Sequence, residues 1–301
     1  MFPIIPANSA TAASGNDEGI FGFGHDVGSY VATTNLVSNA GVVATDTAGV
    51  GTARGSLAAC EYGGDKGIFG FGRKGGAYVD ESNLVSNTGV VASDTAGVGT
   101  AHRDLAACKY GEDKGIFGFG NTGSLTAITN LVSNAGVVAT DTAGVGTARK
   151  QLAACEYGGD KGIFGYGSDG SSVSMSNLVS NAGVVATDTT GVGTARHYIA
   201  ACEYGGNKGI FGFGDTDGST KVSITNLVSN AGVVATDTAG VGTARRNLAA
   251  CEYGGDKGIF GFGTAGGYVA ITNLVSNAGV VATDTAGVGT AKHSLAACSF
   301  N

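Results

Sequence analysis

The chain has 301 residues, of which 43% are hydrophobic and 14% are charged, with 55 Gly, 2 Pro and no Trp. This apolar content is sufficient for a large buried core, and the charged fraction is too low for a disordered chain. The formal net charge of −7 gives no overall attraction to nucleic acid or to an anionic membrane. No apolar run approaches the ~18 residues of a membrane helix. Met1 to Pro6 lacks the basic start of a secretory signal, so we expect a soluble protein without signal peptide or transmembrane segment.

Residues 1–16 precede the first recognisable motif. Pro3 and Pro6 favour an extended backbone, and Phe2, Ile4 and Ile5 are apolar. Two interpretations are open: a frayed terminus, or an extended arm whose apolar side chains dock the protein onto a partner.

From there a motif of the form Lys-Gly-Ile-Phe-Gly-Phe-Gly recurs six times. Its first glycine falls at Gly19, Gly67, Gly115, Gly162, Gly209 and Gly258, so the steps are 48, 48, 47, 47 and 49 residues. A period of this length is typical of a solenoid or a propeller. We therefore expect the repeats, starting near 19, 67, 115, 162, 209 and 258, to form one domain over residues 17–301.

The second repeat predicts four short strands in chain order. These are Gly67 to Gly72, Tyr78 to Val85, Gly89 to Thr95 and Leu105 to Tyr110, separated by turn-forming residues. No stretch has the spacing of an amphipathic helix. Four strands in each of six repeats predict an all-β fold, a six-bladed β-propeller with four-stranded blades.

The two ends of the repeated region favour a closed ring. Leu295 to Phe300 corresponds to Leu57 to Tyr62, the strand that precedes the aromatic strand of the next repeat, and the first repeat lacks that strand. Pairing Leu295 to Phe300 with Ile20 to Gly24 would complete the first blade and remove an open edge. A solenoid would instead need polar capping repeats at its ends, and the sequence has none, so a closed ring is favoured.

The motif from Arg245 to Gly263, Arg-x-x-Leu-Ala-Ala-Cys-x-Tyr-Gly-Gly-x-Lys-Gly-Ile-Phe-Gly-Phe-Gly, resembles the kelch repeat. This resemblance implies that Leu248 to Tyr253 is the innermost strand of a blade and Ile259 to Gly263 the next. The whole repeat, with its Asn-Leu-Val-Ser-Asn segment, also resembles proteins of marine and cyanobacterial bacteriophages, and Ile4 to Asn8 is similar to the start of some phage tail proteins. The likeness implies a virion component of the tail or an appendage, assembled in the host cytoplasm. It implies as partners other virion proteins, docked through Met1–Asn16, and a host-surface glycan or protein; homo-oligomer formation is left open.

The six repeats differ from one another mainly in two segments. One follows Gly-Phe-Gly and the other precedes the innermost strand, and in an up-and-down blade both lie at the same end. We call this end the variable face and the opposite end the constant face. Eleven of the 17 Lys and Arg, and all four His, fall on or beside the variable segments. Because loops on a rigid scaffold commonly carry binding groups, we expect recognition there, with neutral drift of surface loops as the alternative. The expected binding residues are His25, Asp26, Arg54, Arg73, Lys74, His102, Arg103, Arg149, Lys150, Arg196, His197, Tyr198, Lys221, Arg245, Arg246, Lys292 and His293.

Other chemically active residues occur once per repeat. The cysteines are Cys60, Cys108, Cys155, Cys202, Cys251 and Cys298, and this spacing predicts six free, buried thiols on the innermost strands. The aspartates of Thr/Ser-Asp-Thr are Asp46, Asp94, Asp141, Asp188, Asp237 and Asp284. Each of these lies eight residues before a basic residue of its own repeat, so we expect a hydrogen-bonded turn acid or an ion pair to that residue rather than a metal or catalytic ring.

Nothing in these patterns indicates catalysis. Six equal copies supply no differentiated acid and base, no pair of ligands has zinc spacing, and the Gly-rich motif opens no helix that could bind a nucleotide. We therefore expect no enzyme, metal or cofactor, but a binding or structural module. The alternatives are a purely structural or decoration protein of the particle and a glycan-cleaving propeller, which would need a pair of carboxylates in a pocket.

Overall fold

The structure, a computed structural model, describes residues 17–300. In this range the chain forms eighteen β-strands and no helix. The strands are β1 (Gly19–Gly22), β2 (Thr34–Val37), β3 (Ala58–Tyr62), β4 (Lys66–Lys74), β5 (Ala77–Val85), β6 (Ala106–Tyr110), β7 (Lys114–Asn121), β8 (Leu125–Val132), β9 (Ala153–Tyr157), β10 (Lys161–Gly165), β11 (Ser176–Val179), β12 (Ala200–Tyr204), β13 (Lys208–Gly212), β14 (Thr225–Val228), β15 (Ala249–Tyr253), β16 (Lys257–Gly261), β17 (Thr272–Val275) and β18 (Ala296–Ser299). The predicted arm, residues 1–16, lies outside the described residues.

The strands form six three-stranded antiparallel sheets in a propeller-like arrangement. Their orders are β18-β1-β2, β3-β4-β5, β6-β7-β8, β9-β10-β11, β12-β13-β14 and β15-β16-β17. In each sheet the Gly-Ile-Phe-Gly strand is central, with the Cys-containing strand on one side. Ile68, for example, lies opposite Cys60 on β3 and Leu84 on β5. The first sheet combines the two ends of the described chain, because Gly19 pairs with Ser299 and Gly22 with Ala296. This is the pairing expected from the order of the repeats.

The predicted fourth strand, Gly89 to Thr95, is not a regular strand. Its backbone pairs with β5 through two isolated bridges, Val85 to Val91 and Ser82 to Thr95, and the N–H of Ala92 donates to the carbonyl of Leu84 at 2.8 Å. Between these bridges the side-chain amide of Asn83 donates to the carbonyl of Ala92, at 3.0 Å, and to the Asp94 carboxylate, at 2.9 Å. A side chain thus replaces part of the backbone ladder, and the regular sheet has three strands instead of the expected four.

Phenylalanine rings fill the spaces between neighbouring sheets. Phe71 and Phe117 are almost fully buried and meet edge-to-face, with ring centroids 5.2 Å apart. Gly70 leaves room for this contact, since a Cβ there would lie 2.8 Å from the ζ carbon of Phe117. Phe71 itself has a φ of 62°, and a bulge interrupts the β4–β5 pairing between Gly70 and Gly72. The Gly-Phe-Gly motif is therefore required by the packing between sheets.

A ring of backbone hydrogen bonds connects the segments that precede the six Cys-containing strands. Its residues are Ser56, Asp104, Gln151, Tyr198, Asn247 and Ser294. Each N–H donates to the carbonyl of the preceding member, and Ser56 donates to Ser294, at distances between 2.8 and 3.1 Å. The Cys-containing strands also contact one another in sequence, and β18 contacts β3. Within residues 17–300, no helix is long and apolar enough to cross a membrane.

Candidate binding site on the variable face

Six of the expected binding residues are fully buried. They are the basic residues at one repeat position: Arg54, His102, Arg149, Arg196, Arg245 and Lys292, each with 0% exposure. The Arg54 guanidinium lies 4.4 Å from the ring centroid of Phe23, and its Nε donates to the carbonyl of Phe71 at 2.9 Å. Burial lowers the pKa of Arg54 to about 10, so it stays protonated at neutral pH. These six side chains therefore lie between neighbouring sheets and are not exposed on the variable face.

The repeated aspartates join neighbouring repeats. Asp94 accepts hydrogen bonds from the Oγ1 of Thr52, at 2.6 Å, and from the Nδ2 of Asn83, at 2.9 Å. Burial opposes its ionisation, but these hydrogen bonds outweigh burial and hold the pKa of its carboxyl below the usual value. Of the two expected alternatives, a hydrogen-bonded acid or an ion pair to the basic residue of its own repeat, the structure shows the hydrogen-bonded acid. Asp94 lies 3.8 Å from Arg54 of the preceding repeat and does not pair with His102 of its own.

The cysteine prediction is confirmed. All six cysteines are free and buried, and each lies on a strand next to the central Gly-Ile-Phe-Gly strand. Burial raises the pKa of each thiol above its usual value, so the unreactive thiol form is favoured.

A pocket of about 350 Å³, which we call the axial pocket, opens on the variable face beside the ring of backbone hydrogen bonds. It is lined by His25, Tyr30, Ser56, Arg103, Asp104, Tyr198, Asn247, Tyr268, His293 and Ser294. The structure thus brings together four of the expected binding residues: His25, Arg103, Tyr198 and His293. The volume lies near the lower end of the usual range for small-molecule sites, about 300–1,000 Å³.

One part of the axial pocket is aromatic. The ring centroid of His25 lies 5.0 Å from that of Tyr30 and 5.4 Å from that of His293, and His293 lies 4.4 Å from Tyr268. Strand-like bridges hold this cluster, since His25 pairs with both Tyr30 and His293. Burial, and then the neighbouring His25, lower the pKa of His293 to about 4. His293 is therefore neutral at pH 7.

The other part of the pocket carries a charged pair. The Nη1 of Arg103 lies 3.4 Å from the Oδ2 of Asp104, and the Arg103 guanidinium lies 5.3 Å from the ring centroid of Tyr78. Asp104 is only 9% exposed, and burial raises the pKa of its carboxyl above the usual value. The Oδ2 of Asp104 and the Nε of Arg103 are buried without a hydrogen-bond partner in the structure. Such atoms are uncommon in native proteins, and both belong to residues that line the axial pocket.

The remaining expected residues lie outside the axial pocket: Asp26, Arg73, Lys74, Lys150, His197, Lys221 and Arg246. Several of them have local partners. Lys74 pairs with Glu81 at 2.5 Å, Arg246 with Asp215 at 2.8 Å, and His197 contacts the hydroxyl of Ser172 at 2.8 Å.

Sequence reasoning followed mainly positive charge and histidine, and it missed six lining residues: Tyr30, Ser56, Asp104, Asn247, Tyr268 and Ser294. A comparison of the six repeats could have pointed to the tyrosines. By strand register, Tyr30, Tyr78 and Tyr268 occupy one position, which holds Leu125, Ser172 and Lys221 in the other three repeats. An aromatic residue at this position is confined to three repeats that are consecutive around the ring.

A second group of titratable residues, the carboxylate ring, lies at the opposite end of the same inner strands, around a cavity of about 70 Å³. It consists of Glu61, Lys109, Glu156, Glu203, Glu252 and Ser299. Lys109 lies 3.2 Å from Glu61 and 3.1 Å from Glu156. Burial and then the neighbouring carboxylates raise the pKa of Glu203 to about 9 and that of Glu252 to about 7. Among residues 17–300, no group of His, Cys, Asp or Glu has the geometry to hold a metal ion.

The sequence matches no known protein-family model. No curated protein matches it significantly either.

Proposed function

We propose that the protein is a non-enzymatic binding module of a bacteriophage virion, which recognises a glycan or protein of the host surface through its variable face. The observation that carries this proposal is the axial pocket. In a chain of nearly identical repeats, its chemistry comes from positions at which the copies differ, such as His25, Asp104, Asn247 and Tyr268.

The placement in a virion rests on the likeness of the repeat to bacteriophage proteins and of Ile4 to Asn8 to phage tail proteins. In this proposal, residues 1–16 dock the module onto other virion proteins and the variable face points away from the particle.

We further propose that the six sheets are the blades of a closed kelch-like propeller. The circle of hydrogen bonds through Ser56 and Ser294 supports closure, and so does the pairing of β1 with β18. The segment that runs beside the outer strand of each sheet, such as 89–95, serves as an irregular fourth strand. A closed ring holds the contributing loops rigidly in place, which reduces the entropy lost on binding.

The pocket's titratable groups favour binding over glycan cleavage. Most glycosidases use two carboxyl groups that flank the scissile bond. Of the residues lining the axial pocket, Asp104 alone carries a carboxyl group. His293, with its low pKa, is a weak base at pH 7.

The test is adsorption of the fluorescently labelled full chain to a panel of marine bacterial and cyanobacterial cells. A triple variant, Arg73→Ser, Lys74→Ser and Lys150→Ser, removes three charges from the variable face outside the pocket. We expect it to weaken adsorption severalfold and to reduce its salt dependence, while folding is retained. The matched control, Lys66→Ser, Lys114→Ser and Lys161→Ser, makes the same charge change on the constant face and should adsorb normally.

Two results would overturn the proposal. If the control variant adsorbs poorly and the first variant normally, recognition lies on the constant face. If the labelled chain adsorbs to no cell but is incorporated into phage particles, the protein is a structural component.

A further inference from the structure

The axial pocket combines two kinds of surface. Tyr268, His293 and His25 form an aromatic side, in which neighbouring ring centroids lie between 4.4 and 6.3 Å apart. Arg103 and Asp104 supply polar atoms, and Asn247 belongs to the same lining. In the ring of backbone hydrogen bonds, Asp104 and Asn247 are separated by three steps, so they lie on opposite sides of the pocket mouth. A ligand between them would meet polar groups on two sides and aromatic rings on a third.

The pocket is close to electrically neutral. Arg103 and Asp104 form an ion pair at 3.4 Å, and His293 is uncharged at pH 7. An anionic ligand would find a guanidinium already paired with a carboxylate. It would lose its hydration without gaining an unpaired cation in return.

Two buried atoms lack hydrogen-bond partners: the Oδ2 of Asp104, which can accept a hydrogen bond, and the Nε of Arg103, which can donate one. These side chains are adjacent in sequence and belong to one ion pair. Both side chains line the pocket, so a neighbouring pair of hydroxyl groups fits this arrangement once the side chains turn toward the ligand: one hydroxyl can donate to the carboxylate while the other accepts from the guanidinium. Hydrogen bonds to charged groups are among the stronger ones in proteins.

From these features we propose that the axial pocket binds one neutral hexopyranose unit of a saccharide. The apolar face of the sugar ring would pack on Tyr268, and two adjacent hydroxyls would bind Asp104 and Arg103. A pyranose has one apolar face and an edge of hydroxyls, which matches an aromatic side joined to a polar side. This inference rests on the proposed function and specifies the class of its ligand.

The test uses saturation-transfer NMR with the full chain and the methyl glycosides of glucose, galactose, mannose, N-acetylglucosamine, glucuronic acid and N-acetylneuraminic acid. We expect binding of at least one of the four neutral sugars. In protein-detected NMR spectra of the unmodified chain, that sugar should shift the ring-proton signals of His25 and His293. The signals of His102 and His197, which lie outside the pocket, should not move. This readout requires no variant.

Variants then identify the contacts. Tyr268→Ala should weaken the binding of that sugar about tenfold through loss of the aromatic contact. Asp104→Asn keeps the size of the side chain and suits the φ of 57° at this position. It should also weaken binding about tenfold, because the charged acceptor is lost. The control is Leu125→Ala, which truncates the position corresponding to Tyr268 outside the pocket and should bind normally.

Binding of the acidic sugars alone, or of none of the six, would overturn the inference. So would neutral-sugar binding that leaves His25 and His293 unshifted, or that Tyr268→Ala does not weaken. These failures remain distinct from failure of the proposed function. Cell adsorption that is weakened by the variable-face charge variant, but not competed by any of the sugars, would retain host recognition and exclude a hexopyranose as its ligand.

Discussion

Lys109 is the single basic residue of the carboxylate ring, and we predict that Lys109→Gln strongly destabilises the protein at neutral pH. Its ammonium lies 3.2 Å from Glu61 and 3.1 Å from Glu156, and both carboxylates are about 95% buried. Removing one partner of a buried ion pair typically costs about 3–5 kcal/mol, because the other charge is left uncompensated. Protonation of a carboxylate can relieve this cost.

The free energy needed to keep a carboxyl group protonated sets the size of the destabilisation by Lys109→Gln and its pH dependence. Holding one Glu protonated costs about 1.4 kcal/mol for each pH unit above its usual pKa of about 4.3, hence about 4 kcal/mol at pH 7 and about 1 kcal/mol at pH 5. A carboxyl whose pKa is raised on folding contributes most to stability at low pH, and this contribution is lost as the pH rises. The destabilisation by Lys109→Gln should therefore be several times larger at pH 7 than at pH 5.

The assay is equilibrium unfolding in urea at both pH values. Lys114→Gln is the control, because Lys114 pairs with Asp113 at an exposed site and its loss should change stability little. Adding Glu156→Gln to Lys109→Gln should restore part of the lost stability at pH 7. Unchanged stability of Lys109→Gln at pH 7, or an equal loss at pH 5 and pH 7, would refute the reasoning.

Three further predictions concern the pairing of β18 with β1, the cysteine thiols and stability in acid. Deleting residues 295–301 removes β18 and exposes β1, so we expect aggregation or a large fall in melting temperature; a monomer with unchanged melting would contradict this. A bulky thiol reagent should modify none of the six cysteines until the protein unfolds, and intact mass should correspond to six free thiols; a mass lower by paired hydrogens would indicate disulfides. The six repeated aspartates have pKa values lowered on folding, so they stabilise the fold above pH ~4, and this contribution is lost as the pH falls through their folded-state pKa values. Acid unfolding followed by circular dichroism should therefore begin at a higher pH in Asp94→Ala than in the unmodified protein, and an identical profile would count against this role.

The sequence alone was sufficient for the features that each repeat carries within itself. The period, the strands with Gly-Ile-Phe-Gly and Ala-Ala-Cys, and the absence of helical spacing predicted a helix-free fold of six equivalent sheets. The pairing of β18 with β1 follows from the same count, because the first repeat lacks a strand that the last one has in surplus. These features are local, and because each occurs six times at a fixed period, the repeat can be recognised from the sequence.

The tertiary structure decided which polar residues are buried. Arg54 and Arg103 occupy adjacent variable segments and look alike in the sequence, yet Arg54 is buried against Phe23 while Arg103 lines the axial pocket. The fourth strand failed as a prediction for a similar reason, since the Asn83 side chain takes the carbonyl that a backbone ladder would use.

The axial pocket could also not be predicted from the sequence alone. Its aromatic side joins His25 and Tyr30 from the first repeat to Tyr268 and His293 from the last, residues at opposite ends of the chain. Local sequence determines whether a residue lies on a strand or in a turn. Which distant residues share a pocket depends on how the six sheets are arranged relative to one another, and that arrangement is set by packing between sheets, such as Phe71 against Phe117.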